Sequence, residues 1–317
     1  AMLSPRRYPI DRFAEAWRNV LLYSEHTWGA HCSISLPQSP FTSDQWNIKQ
    51  SYATTANLLS RQLLSDAAAG RNGRLSTRPA NQVDVFNTTS RSRSEVVMIP
   101  VETARGFQSV IDADGNVVPS QRLINHDLAV LVSDLPSFAG RRLQLARQPR
   151  DPAVAAVTVS VDGATLSNEK IHVRVDKTTG GIVELRMKGI EANLVDTADG
   201  EAINDYLYLI GDNIDDIQTN DKVRITIGER GPLVASLIVE SNAPGCHSLR
   251  REIRLTSGTQ HVEMINTVDK QRLVAESYHA ADGKESVNFA FPLNVPDGEL
   301  RLSVPYCVIR PEFDQIP

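Results

Sequence analysis

The feature that most constrains this chain is a set of short segments in which apolar and polar residues alternate, each ended by glycine or proline turns. Val154 to Val161, Ile171 to Val175, Ile182 to Met187, Val223 to Ile227, Leu233 to Glu240, Leu249 to Leu255 and His261 to Thr267 all read this way. They are joined by Thr178-Thr179-Gly180-Gly181, Gly228 to Pro232 and Ala243-Pro244-Gly245. A period of two places one face of each strand against a core and the other toward water. With no helical period between the segments, the expectation is a large antiparallel β sandwich, cut short at its C-terminal end.

Upstream, the same alternation recurs in shorter form. Val83 to Phe86, Glu95 to Val101 and Asp127 to Val132 read as strands, with Asn87-Thr88-Thr89, Asp114-Gly115-Asn116 and Pro136 to Gly140 as turns. These predict a small β sandwich, separated from the larger one by a polar, proline-containing linker at Gln148 to Pro152.

The first part of the chain changes period altogether. Phe13, Trp17, Val20, Leu21 and Trp28 recur at helical spacing from Asp11, a candidate N-cap, to about Cys32. A second helix is expected from Thr42-Ser43-Asp44-Gln45, read as a capping box, through Leu63 and Leu64 to Gly70. Two helices alone bury too little, so their apolar stripe is expected to be partly exposed. The predicted organisation is a helical segment over 1–78, a small sandwich over 79–150 and a large sandwich over 151–317, giving an α+β fold that is mainly β.

Composition narrows the function classes. At 41% hydrophobic and 22% charged residues the chain is of the soluble globular type. Its 33 basic against 38 acidic residues leave a formal charge of -5, which gives no field for nucleic acid or an anionic membrane. The Arg91–Arg93 and Arg141–Arg142 clusters are short and read as solvated. Cys32, Cys246 and Cys307 have no paired spacing, so they are expected to be free and buried. No stretch approaches the ~18 consecutive apolar residues of a membrane span, and neither end reads as a natural terminus, which leaves the compartment open.

Three stretches then stand out. Ala16-Trp17-Arg18-Asn19-Val20-Leu21-Leu22-Tyr23-Ser24-Glu25-His26-Thr27-Trp28-Gly29-Ala30 carries one imidazole among bulky apolar neighbours, just before a glycine. Val173 to Leu185 holds Asp176-Lys177-Thr178-Thr179-Gly180-Gly181. Asn204-Asp205-Tyr206-Leu207-Tyr208-Leu209-Ile210-Gly211-Asp212 is followed far downstream by Val304-Pro305-Tyr306 and Arg310 to Gln315. On its own a single histidine has no ligand spacing, and its first reading is a hydrogen-bonded core or surface residue. Taken together and in this order, the stretches resemble glycoside hydrolase family 38, the α-mannosidase family.

That resemblance implies a galactose-mutarotase-like supersandwich preceded by a helical segment that completes a bundle beside an upstream catalytic domain, the expected partner. It implies a parent enzyme that is a zinc-dependent retaining hydrolase of terminal α-mannosides or related linkages, with two carboxylates outside this fragment. His26 is the metal ligand implied here. No catalytic residue is expected in the fragment, nor tightly bound zinc, because a lone histidine lacks the three or four convergent donors of a zinc site. His31 and Cys32 do not share a helical face with His26.

Thr27 follows the ligand position where many family members have an aspartate that contacts sugar hydroxyls. A neutral hydroxyl is the weaker acceptor, so the substrate need not be an ordinary mannoside. Thr27, Trp28 and Tyr206 are the candidate substrate contacts. Trp28 lies in the helical stripe and reads first as core, and Tyr206 is open to either role. The family role of Asp314 and Gln315 is left open.

The rival is a non-catalytic carbohydrate-binding or structural β-sandwich protein. Phosphate loops, Gly-x-Ser-x-Gly elbows and His-Glu-x-x-His are missing from the sequence, and the acidic run Asp212 to Asp221 lacks the pattern of a calcium loop. Asn87-Thr88-Thr89 matches a glycosylation acceptor, a match frequent by chance.

Overall fold

A computed structural model describes residues 8–25, 30–33, 35–69, 81–150, 160–272, 285–304 and 307–314. Two helices open the chain, α1 (Ile10–Tyr23) and α2 (Pro40–Ala69). Arg12 near the start of α1 pairs with Asp66 near the end of α2 at 2.5 Å, and Glu25 beyond α1 pairs with Lys49. The helices therefore run antiparallel. Small side chains form part of the seam, where Ala16, Ala56 and Leu63 are buried. Trp17 (62% exposed) and Leu21 (66%) face outward, so the expected apolar stripe is uncovered among the described residues.

Both helix starts differ from the sequence expectation. Pro9, not Asp11, is the N-cap residue of α1, and Asp11 lies in the first turn. The helix stops at Tyr23 rather than near Cys32, with Ser24 N donating to Val20 O. In α2 the cap lies three residues earlier than expected: Ser39 Oγ accepts from Thr42 N at 3.2 Å, and Pro40 takes the first helical position, where its missing N–H is not needed.

Seven strands make the small sandwich: β1 (Gln82–Phe86), β2 (Arg93–Ile99), β3 (Ser109–Ile111), β4 (Val117–Val118), β5 (Ser120–Arg122), β6 (Leu128–Leu135) and β7 (Gly140–Ala146). They form sheets in the orders β1-β7-β3-β4 and β2-β6-β5. Ile99, Val110, Leu128, Val130, Leu143 and Leu145 fill the space between them. Arg142, expected to be solvated, projects outward and pairs across β1 and β7 with Asp84 at 2.9 Å. In Asn87-Thr88-Thr89 the asparagine side chain is buried and anchors a structural turn, with Thr88 exposed. Asn87 is 5% exposed, its Nδ2 donates to the carbonyls of Arg91, Leu135 and Pro136, and its Oδ1 accepts from Thr89.

The larger β region contains β8 (Ser160–Asp162), β9 (Thr165–Ser167), β10 (Ile171–Val175), β11 (Ile182–Met187), β12 (Tyr206–Ile210), β13 (Gln218–Thr219), β14 (Arg224–Arg230), β15 (Val234–Ser241), β16 (Cys246–Thr256), β17 (Glu263–Lys270), β18 (Glu285–Phe289), β19 (Leu302–Val304) and β20 (Cys307–Ile309). Every pairing is antiparallel. Sheet β11-β10-β9-β8 packs on sheet β14-β15-β16-β17 through Leu166, Val173, Ile182, Leu237, Ile253 and Leu255. A third sheet, β13-β12-β18, closes over a smaller core with Tyr206, Tyr208 and Leu249. Within 212–221 the chain makes an exposed 3-10 turn, Ile214–Asp216, capped by Asn213, as a solvated turn should.

The two β regions meet at one buried joint. Gln121 on β5 accepts from Leu233 N and Val234 N, both at 2.8 Å, and donates to Val234 O at 2.9 Å. Leu123 and Ala129 pack there against Leu233 and Val234. This is why the first half of β15 is buried on successive residues instead of alternating. All three cysteines are free. Cys246 is buried as expected, but Cys307 is exposed and Cys32 intermediate, because each of these lies in a connecting segment or outer hairpin.

Candidate functional site

His26, Thr27 and Trp28 lie outside the described residues, but both flanks of that segment are placed. On the upstream side Glu25 is paired with Lys49. On the downstream side His31 N donates to Gln45 Oε1 at 3.1 Å, and the Thr42 hydroxyl faces Leu36 O at 2.9 Å and His31 O at 3.3 Å. Thr42, Gln45 and Lys49 follow the three- and four-residue spacing of one helical face. That face of α2 holds the chain on either side of 26–29. The residues read as a capping box thus serve to fasten a loop, and Thr42 is fully buried in doing so. The sequence signal available was this run of polar residues at helical spacing.

The loop also reaches the β region. With its carboxamide oxygen turned toward Arg272, Gln38 accepts from both terminal guanidinium nitrogens at 3.2 Å. The adjacent Gln271 donates from N to Gly245 O and from Nε2 to Cys246 O, each at 3.0 Å. One residue earlier, Pro244 O receives the Tyr206 hydroxyl at 2.7 Å. The segment ahead of α2 is therefore connected to Tyr206 through 244–246 and 271–272.

Tyr206 itself has no exposed surface. Its ring meets Phe289 edge-on at 5.8 Å and its hydroxyl is taken by Pro244 O. Burial pushes its pKa upward, and it pushes that of Tyr208 to about 12, where the hydroxyl donates to Glu285 at 2.9 Å. Of the two roles left open for Tyr206, this environment is that of a packing residue. Asp314 accepts from Arg310 N at 2.8 Å and Nη2 at 3.0 Å, which closes a local turn and lowers its pKa. Gln315 lies outside the described residues.

The described residues contain no group of three or more His, Cys, Asp or Glu able to hold a metal ion, so they do not fit zinc without further donors. Each of their buried carboxylates has at least one oxygen engaged by the fold, and Asp205 Oδ1 is left without a hydrogen bond. Asp205 accepts from Ala202 N, Glu229 from Ile124 N, and Glu252 from Arg254, each at 2.8 Å. No helix among the described residues is long and apolar enough to cross a membrane.

Residues 166–315 match the family model described as the glycosyl hydrolases family 38 C-terminal domain. Among solved structures the chain is similar to a protein of glycosyl hydrolase family 38 from Enterococcus faecalis, with a TM-score of 0.54 and 13% identity over 83% of this chain and 40% of that one. It is also similar to an alpha-mannosidase from Enterococcus faecalis V583, with a TM-score of 0.53 and 13% identity over 82% of this chain and 37% of the other. The chain thus spans well under half the length of each. No curated protein sequence matches it. At such identity the likeness is one of fold, and that fold is the mainly β one that the family resemblance implies.

Proposed function

We propose that this chain forms the helical and β-domain portion of a glycoside hydrolase that, when whole, cleaves terminal α-mannosides or related glycosidic linkages, and that the portion alone has no hydrolytic centre. The observation that carries the reading is the extent of the fold match. The family model begins at residue 166, whereas the structural likeness takes in more than four-fifths of the chain and so reaches into the helical segment and small sandwich.

Retaining hydrolysis needs two carboxyl groups about 5–5.5 Å apart, one a nucleophile and one an acid and base. The buried carboxylates described above hold backbone amides or arginines, and the free oxygen of Asp205 is packed against Gly181, which supports placing both catalytic groups outside this portion. Zinc, where bound, supplies orientation of adjacent sugar hydroxyls and electrostatic stabilisation. His26 is the donor this chain contributes, and the other donors come from the remainder of the parent.

Thr27 and Trp28 sit beside that donor in sequence and are assigned to the sugar-facing side. Tyr206 is assigned to the core. The pairing of Glu25 with Lys49 and of His31 with Gln45 supports this arrangement, because it holds the His26 segment at both ends.

The test is zinc content and α-mannosidase turnover of the full-length parent, wild type beside His26→Ala. Near-stoichiometric zinc and turnover that both fall sharply in the folded variant are expected. A parent whose zinc and activity ignore the substitution would remove the site assignment and favour the rival scaffold reading.

A further inference from the structure

Arg251 occupies an inward slot of β16, in line with Leu249, Ile253 and Leu255, and has no exposed surface. An apolar side chain would fill that slot without the desolvation cost of a buried charge, and such replacements are often neutral or stabilising. What the guanidinium adds is reach in two directions. Nη1 donates to Asn204 O at 2.8 Å and Nη2 to Thr179 O at 2.5 Å. Those carbonyls belong to the 176–181 turn between β10 and β11 and to the segment that leads into β12.

Each tethered segment is built around the contact. In the turn, Asp176 Oδ1 accepts from Thr178 N and Thr179 N at 2.7 and 2.9 Å, and Gly180 N donates to Asp176 O at 3.0 Å. Gly180 has a φ of +78°, and a Cβ on it would fall 2.6 Å from Arg251 Nη2. A Cβ on Gly181 would collide with the Asp205 carboxylate. In the other segment Asn204, also fully buried, exchanges side-chain hydrogen bonds with Asn266 on β17 at 2.6 and 3.0 Å, and Asp205 accepts from Ala202 N. Val223 N, leading into β14, donates to Thr178 O.

We propose that Arg251 is a positioning residue that locks the 176–181 turn and the 202–206 segment into one unit, and thereby fixes where β12 and Tyr206 sit on the large sandwich. Two of the sequence stretches singled out at the start, Asp176 to Gly181 and Asn204 to Tyr206, are then the two halves of a single fastening. Gly180 leaves room for Val239 and Arg251, and Gly181 for Asp205 and Ala202. This inference concerns the architecture of the β region and stands independently of the glycosidase reading.

The experiment is amide hydrogen exchange on this chain under native conditions across a urea series. In the wild type the amides of Gly180, Asp205 and Val223, whose acceptors are Asp176 O, Ala202 O and Thr178 O, are expected to open in one step with matched urea dependence. In Arg251→Lys, which keeps the charge but not the two-pronged donor geometry, exchange in both segments should rise together by roughly ten- to hundredfold, the worth of one charge-assisted hydrogen bond. Amides of β6 should be unchanged. Different urea slopes for the two segments in the wild type, or acceleration of only one in Arg251→Lys, would overturn the lock. Because a backbone bridge between Ile182 and Ile203 also ties the two segments, the variants decide what Arg251 contributes. Arg251→Met, which fills the slot without a charge or donor, should show the same joint rise, and unchanged exchange in a folded Arg251→Met would overturn the lock.

Discussion

Replacing Gln121 by methionine tests the joint between the two β regions most directly. The substitution keeps the length and much of the volume of the side chain, so packing against Leu233 and Val234 is largely retained. What it removes are three buried hydrogen bonds, two accepted from Leu233 N and Val234 N and one given to Val234 O. Val234 O keeps Gly231 N at 2.8 Å, but the two stranded amides cost about 1–3 kcal/mol each when water cannot replace the partner. The two are neighbours and not additive, so a loss of about 2–4 kcal/mol is expected. Equilibrium urea unfolding followed by far-UV circular dichroism should show the midpoint fall and the transition broaden or split, as the small sandwich loses its anchor. Gln121→Glu keeps the acceptor but loses the donor and buries a charge, and should be the more disruptive variant at neutral pH. If Gln121→Met unfolds within about 0.5 kcal/mol of the parent, a change ordinary for surface sites, the joint is held by apolar contact and the argument from hydrogen bonding fails.

Three further outcomes follow from the geometry. Asn87→Ala removes the three bonds that Nδ2 gives and the acceptor of Thr89 N and Oγ1, while the Arg91, Leu135 and Pro136 carbonyls each keep a second donor, so it should cost about 1–3 kcal/mol, read as a lowered thermal midpoint. Thr42→Val keeps the shape but removes the hydroxyl that faces Leu36 O and His31 O. Exchange at Leu36 N, bonded to Cys32 O, should quicken while the global midpoint moves little. Burial pushes the Glu252 carboxyl up, but the hydrogen bonds from Arg254 and Ser236 and the charge of Arg250 outweigh it, and the net pKa is lowered from 4.5. A lowered folded pKa gives stability that is present above 4.5 and lost as pH falls through the folded value, so Glu252→Gln should flatten the acid limb of a stability-against-pH curve.

How much of this was legible in the sequence depends on how many faces of each element are buried. β10 and β11 fall where alternation places them, because one side faces the core and the other water. β12 is Tyr-Leu-Tyr-Leu-Ile, apolar at every position, so period two gives no signal even though its residues belong to a recognised stretch. β3, β4 and β5 are two or three residues long, too short for any period. Trp28 extended the apparent stripe of α1 past its true end, since an apolar residue at the right spacing says nothing about where the backbone turns. His26 and Tyr206 were singled out by resemblance alone; His26 lies outside the described residues, and Tyr206 is enclosed. Arg251 was not legible, because an arginine between charged neighbours in a strand reads as an outward residue; only the third dimension brings Thr179 and Asn204 to it.

The enclosed Asn87 side chain sets a condition on the biosynthetic route. Oligosaccharide transfer in a glycosylating compartment acts on Asn-x-Thr before the surrounding strands have closed, so Asn87-Thr88-Thr89 would be presented as an acceptor while the chain is still open. In the finished fold the same Nδ2 is directed at three main-chain carbonyls, and a sugar on it would displace those hydrogen bonds. Glycan and native turn exclude each other. In such a compartment folding and modification compete for one nitrogen, and molecules that lose the race are left with a turn that cannot close.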